Sequence, residues 1–148
     1  MNDVQSAPGL IRFSFDEAWR AGSKLVSRCR EEGAPVTIGI WLGSQRVFHC
    51  ALNGTSADND AWLERKANTV RHFGCSSLEA QERFGHLGND FFSIFALSRT
   101  NYAIAGGAVP IMVQGSMVGV IGVSGLESSE DHALAVWALT EELLEALS

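Results

Sequence analysis

Two segments about sixty residues apart hold most of the side chains able to do chemistry. In residues 55–70, Asp58 and Asp60 precede Trp62, Arg65, Lys66 and Asn68. In residues 119–132, a glycine-punctuated apolar run ends in Glu130, Asp131 and His132. These residue types offer three kinds of chemistry. Arg65 or Lys66 can anchor a carboxylate. Asp131 and His132 can act as an acid–base pair. His132 can also ligate iron, with Asp131 or Glu130 fixing its tautomer.

Each group also has a plain structural explanation. Asp58, Asp60 and Glu64 fall in the first turns of a predicted helix, where the macrodipole favours negative charge by about 0.3–1 kcal/mol each. Ser128, with Asp131 three residues on, reads as a variant capping box. Arg65 projects with Ala61, Asn68 and His72, away from a Leu63–Ala67–Val70 stripe. That polar row suits solvent, a subunit contact or a ligand. Lys66 follows Trp62 by one helical turn, which lays its stem along the indole and sends its ammonium to the helix flank. His132 lies in line with Val136, Leu139 and Leu143 at the border of the core, where an imidazole commonly donates to a backbone carbonyl. His72 is the second candidate for an iron ligand.

Other signatures are missing. No HxxxH, HExxH or paired Cys/His spacing supports a structural zinc site, and there is no GxSxG elbow or Walker loop. Gly119 and Gly122 sit inside an apolar strand, where they are expected to make room for a packed helix rather than hold a phosphate. Cys29, Cys50 and Cys75 form no CxxC pair and read as small hydrophobes in a reduced compartment.

The elements that must position these residues follow from pattern. Ser14 and Glu17 form a capping box opening a helix whose stripe is Ala18, Trp19, Gly22, Leu25, Val26 and Cys29, stopped by Gly33 and Pro35. Residues 36–42 and 46–52 form a hairpin, with Val36, Ile38, Ile40 and Leu42 on one face of the first strand and Thr37, Gly39 and Trp41 on the other. A helix from 55 to about 73 ends at Gly74. Ser76 and Glu79 cap a shorter helix reaching about 84, and Phe91, Phe92, Ile94 and Phe95 suggest a buried helical turn. Strands at 103–113 and 117–124 flank the turn at 114–116. The last helix, 128–147, is expected to turn Ala133, Val136, Trp137, Thr140, Leu144 and Leu147 inward. The order is α-β-β-α-α-β-β-α, an α+β arrangement with an antiparallel sheet between helical layers.

A chain of 148 residues with 46% apolar and 19% charged residues fits one globular domain, residues 1–148. Its net charge of −6, with no basic tract, argues against nucleic acid or an anionic membrane as partner. The start lacks the basic-then-apolar pattern of a signal peptide, and no stretch is apolar enough to span a bilayer, so a cytoplasmic protein is expected.

The run DNDxWLxRKxNTVxxFG over 58–74 resembles the signature of the haem-degrading-domain superfamily, which includes the GlcG-like proteins, HbpS and the C-terminal domain of PduO. GGAVPI over 106–111, and VSGL over 123–126 followed by EDH over 130–132, match a short cytosolic branch of that group in the same order. The likeness runs from about residue 14 to the end and adds Gly107 to the candidate ligand contacts. It shows two departures. Glu127 stands where the branch has proline, and Met112 and Gln114 stand where it tends to have basic residues that would hold a haem propionate.

The resemblance implies a three-layer α/β/α sandwich around a five-stranded antiparallel sheet, symmetric oligomers and no single activity. It names haem as a candidate cofactor. Three readings therefore stand side by side: an oligomeric module binding a small ligand or partner protein, a haem-binding or haem-degrading protein with a histidine ligand, and a small-metabolite enzyme using Arg65, Lys66, Asp131 and His132. A homo-oligomer, at least a dimer, is expected from four tryptophans and from a first strand apolar on both faces.

Overall fold

The computed structural model describes residues 5–148. In chain order the elements are α1 (Phe15–Glu32), β1 (Thr37–Leu42), β2 (Gln45–Ala51), α2 (Ala57–Phe73), α3 (Ser77–Phe84), a 3-10 turn (Gly85–Leu87), α4 (Asp90–Phe95), β3 (Ala108–Val113), β4 (Ser116–Ser124) and α5 (Ser128–Leu147). The strands form one antiparallel sheet in the order β2-β1-β4-β3. Among the described residues the sheet has four strands, not five. Among the described residues the N-terminal segment adds one parallel bridge, Leu10 to Val113, with the Leu10 amide donating to the Met112 carbonyl at 2.8 Å. Pro8 brings no donor to that edge, and Ser14 already caps α1, so no ladder develops.

Strand alternation divides the core. Ile38 and Ile40 of β1, Val109 and Ile111 of β3, and Ile121 and Val123 of β4 face α1 and α5. Trp41, Ala108 and Val120 point the other way, onto Leu63, Ala67 and Val70 of α2. Both faces of β1 are thus covered within one chain, so its two-sided apolar pattern needs no second subunit. The close seat of α2 depends on a glycine pair. Gly39 faces Gly122 across the β1–β4 ladder, and a Cβ on either would stand 2.9 or 2.7 Å from a Leu63 methyl. The expectation for Gly122 is met. Gly119 instead lies against the Trp41 carbonyl of β1.

Three expectations fail for identifiable reasons. The strand expected from residue 103 begins at Ala108, because 103–107 are held by side chains rather than by a ladder. Ala103 exchanges bonds with Thr69 Oγ1 at 2.7 and 3.2 Å, and the Gly106 amide donates to Gln81 Oε1 and Ser128 Oγ. The inward face of α5 is Leu134, Ala135, Ala138 and Leu139, with Val136, whereas Ala133, Leu144 and Leu147 are exposed. The helix is apolar on nearly every side, so its pattern does not fix a face. In α4, Phe91 alone is buried, packed with Phe73, Phe84 and Phe95 at ring separations of 5.2–5.8 Å, while Ile94 is exposed. Among the described residues no helix is long and apolar enough to cross a membrane.

Candidate functional site

The two chemical segments meet. Lys66, in the middle of α2, turns inward beside the buried stripe and is only 4% exposed. Its Nζ lies 3.2 Å from Asp131 Oδ2 on α5 and 3.2 Å from the Val123 carbonyl on β4. The flank position expected from its spacing to Trp62 is therefore wrong. Helix α5 offers a carboxylate and β4 a carbonyl at this depth, and together they compensate a buried ammonium that solvent would otherwise claim. Arg65, not Lys66, covers the indole, its guanidinium 4.2 Å from the Trp62 ring centre.

Asp131 is held as firmly as Lys66. Its Oδ1 accepts from the Leu126 amide at 3.0 Å, and its Oδ2 accepts from the Gly125 amide at 3.2 Å besides Lys66. It is thus not the third residue of a Ser128 capping box. Glu127 caps α5 and pairs with Glu130, whose carboxylate accepts the Glu127 amide at 3.3 Å. Gly107 closes the back of the pair. At φ +139°, a Cβ there would sit 2.3 Å from the Val123 carbonyl oxygen and 2.8 Å from Lys66 Nζ. Burial pulls the Lys66 amine below its ordinary range against the pull of Asp131, and it pushes the Asp131 carboxyl up against Lys66 and the two amides.

In front of the pair is an open cleft of about 300 Å³ lined by Asp58, Asn59, Trp62, Lys66, Ser124 and Asp131, among others. On the far side of Trp62 lies a second cleft, of about 580 Å³, sharing Trp62 and Ala105 with the first. Its walls are Arg65, Phe92, Arg99, Tyr102 and Ile104. Arg99 is stacked on Phe92, 5.2 Å from the ring centre. Among the described residues neither Arg65 nor Arg99 takes part in an ion pair, although acidic residues outnumber basic ones 17 to 11.

Of the residues singled out from sequence, Asp58, Trp62, Arg65, Lys66, Gly107 and Asp131 come together here, and the others do not. Asp60 is drawn off by His49 of β2, 2.5 Å away. Asn68 is structural: its amide donates to the Asn101 carbonyl, and its oxygen accepts from Arg71. Glu130 is spent on the cap. His132 is buried, its Nε2 donating to the Gln5 carbonyl at 2.6 Å, and its Nδ1 is buried with no hydrogen-bond partner among the described residues. Desolvation holds it below the usual imidazole range. Neither nitrogen opens to a cleft, so His132 does not fit the role of an iron ligand. His72 is exposed and packs edgewise on Phe73 and Tyr102, outside the lining of both clefts. Arg99 and Tyr102 escaped sequence reading because they stand in an irregular loop, where no periodicity marks a shared face, and Phe92, expected in a buried turn, instead lines the cleft.

The chain also matches known proteins. The chain fits the family model described as "Haem degrading protein HbpS-like" over residues 13–140. It is 44% identical to a UPF0303 protein of Streptomyces avermitilis over 133 residues, covering 89% of this chain and 82% of that protein. Among solved structures, the Ybr137w protein superposes with a TM-score of 0.85 at 30% identity, over 94% of this chain and 83% of that one. PduOC shares the fold with a TM-score of 0.74 at 16% identity, over 88% and 94%. With the three motifs gathered around one pair of clefts and the family pattern matched over most of its length, the chain belongs to the HbpS-like haem-degrading protein family.

Proposed function

We propose that this protein is a binding module for a planar organic anion, and that the ligand docks in the cleft between Trp62 and Phe92. The observation that carries this reading is the pair of arginines. Arg65 and Arg99 are each stacked on an aromatic ring and lack a carboxylate partner among the described residues. Arg65 donates its Nε to the Ala61 carbonyl at 3.2 Å, and the remaining edge donors of a stacked guanidinium can grip a carboxylate in a bidentate fork. Besides the two arginines the lining holds Trp62, Phe92, Tyr102 and Ile104, with Gln81 and Asn89 as its polar members, which suits a flat unsaturated body. The positive charge absent at Met112 and Gln114 is thus supplied from a different quarter of the fold.

Porphyrin carboxylates belong to this ligand class, and the solved PduOC structure is a haem complex. In this chain Arg65 and Arg99 would receive the propionates. Tyr102 is the one side chain lining the cleft of a type that ligates haem iron. Bound haem would supply redox chemistry at iron; the protein's residues would contribute binding, orientation and exclusion of water. Titration with haem and with metal-free porphyrin tests the reading. Both should bind saturably, and Arg65→Ala with Arg99→Ala should weaken each by about tenfold or more. His132→Ala should leave the Soret position unchanged. Absence of saturable binding by either compound, or binding that ignores both arginines, would overturn it.

A further inference from the structure

The chain has only two lysines, Lys24 and Lys66, against nine arginines. Lys24 is on the surface, 3.7 Å from Glu145. Lys66 is in the lining of the smaller cleft, facing a carboxylate fixed by two amides. A purely structural pair here would be better made with arginine, whose fork matches a carboxylate and never loses its proton. Lysine differs in being able to give its proton up when desolvated. An ammonium has three donors, and Lys66 spends them on two acceptors within the protein.

The rest of the lining indicates what would approach. Asp58 stands there in no ion pair among the described residues, which discourages anions. The Trp62 indole forms an unsaturated wall. We propose that Lys66 is an imine-forming amine for a small uncharged aldehyde or ketone held in this cleft, with Asp131 as its proton shuttle.

In that step the neutral amine adds to the carbonyl carbon, and the carbonyl π pair moves onto oxygen. Asp131, protonated, gives its proton to that oxygen and takes one from nitrogen. It then protonates the hydroxyl, the C–O bond breaks with loss of water, and C=N forms as nitrogen returns a second proton to Asp131. One water leaves, and two N–H bonds are replaced by the imine. Burial favours the neutral forms of both partners. The titratable groups around Lys66 are Asp131 from α5 and Asp58 from α2; β3 and β4 present Gly107, Ser124 and the Val123 carbonyl.

The site lies across Trp62 from the anion cleft and makes no use of Arg65 or Arg99, so either proposal can fail without the other. The test uses the full chain, incubated with benzaldehyde at pH 7, reduced with borohydride, digested and weighed peptide by peptide. Lys66 should carry the adduct at least about tenfold over Lys24, because burial favours the free amine at Lys66 and only a free amine adds to a carbonyl. The pH profile of Lys66 labelling should lie at lower pH in the folded protein than in urea, because burial holds its amine below the ordinary lysine range. The preference should vanish in urea. Glyoxylate, the anionic counterpart, should label Lys66 less than benzaldehyde does when each is normalised to Lys24. Equal labelling of the two lysines in the folded protein, a Lys66 pH profile unmoved by urea, or a preference surviving in urea would overturn the imine. The reverse order of the two probes would overturn the ligand class. The wild-type peptide map decides these points even where a Lys66 variant fails to fold.

Discussion

Deleting either half of the Lys66–Asp131 pair strands the other where almost no water reaches, the two side chains being 5% and 1% exposed. Breaking a buried pair by removing one partner costs about 3–5 kcal/mol, because the charge left behind is uncompensated. The two deletions should differ within that range. Lys66→Met leaves Asp131 accepting from Gly125 and Leu126, so its cost falls near the low end, about 3 kcal/mol. Asp131→Leu leaves Lys66 with the Val123 carbonyl alone and orphans two backbone amides. Its cost belongs at the top, about 5 kcal/mol, a large share of a domain's total stability. The double variant removes both charges and should cost less than the sum by about 2 kcal/mol or more. Urea unfolding at pH 7, followed by tryptophan fluorescence and far-ultraviolet circular dichroism, closes the cycle. A Lys66→Met protein within about 0.5 kcal/mol of the parent, or an additive double variant, would refute the reasoning.

His132 sets a pH dependence. Its folded-state pKa is depressed, chiefly by burial, so its contribution is complete above the unfolded value of about 6.5 and is lost as pH falls through the folded value, at up to about 1.4 kcal/mol per unit. Asp131, raised by burial, works in the opposite sense, so urea midpoints of wild type and His132→Gln between pH 7 and 5 isolate the histidine; parallel curves would refute its burial. Gly107→Ala should cost about 3 kcal/mol or more, combining positive-φ strain with contact against a backbone carbonyl, and a thermal melt unchanged within error would contradict the geometry. We further propose that the protein self-associates through the row Ile11, Phe15 and Trp19, which is exposed at 48%, 62% and 69%. Light scattering should then show an oligomer that Trp19→Glu dissociates, and a 16.0 kDa particle for wild type would end that idea.

Local rules carried the sequence reading far. Caps at Ser14 and Ser76 and stops at Gly33 and Gly74 place α1, α2 and α3 within about two residues. Strand alternation in β1 sorts Ile38 and Ile40 from Gly39 and Trp41 onto the correct faces. The reading failed where neighbours distant in sequence decide. Lys66 looks like a surface residue until Asp131 and Val123 are seen beneath it. His132 looks available until the Gln5 carbonyl takes it. Ser128 looks like a cap until Gly106 donates to it. The sheet edge failed for a similar reason, since the open side of β3 depends on where the N-terminal segment lies.

Arg65 and Lys66 are adjacent in sequence yet serve different clefts, and helix geometry requires it. Successive residues diverge by about 100° around a helix of 3.6 residues per turn, so one faces the sheet while the other faces out. Trp62, three and four residues earlier, lies between their two directions. One turn of α2 thereby brings to a shared indole wall a guanidinium fit for an anion and an amine fit for a carbonyl. The two sites are separable by single changes at Arg65 or Lys66 but joined at Trp62. Trp62→Ala should weaken both porphyrin binding and Lys66 labelling, whereas Arg65→Ala should weaken only the first. A Trp62→Ala protein that keeps both would mean that the indole forms no part of either wall, and the two-cleft reading would have to be abandoned.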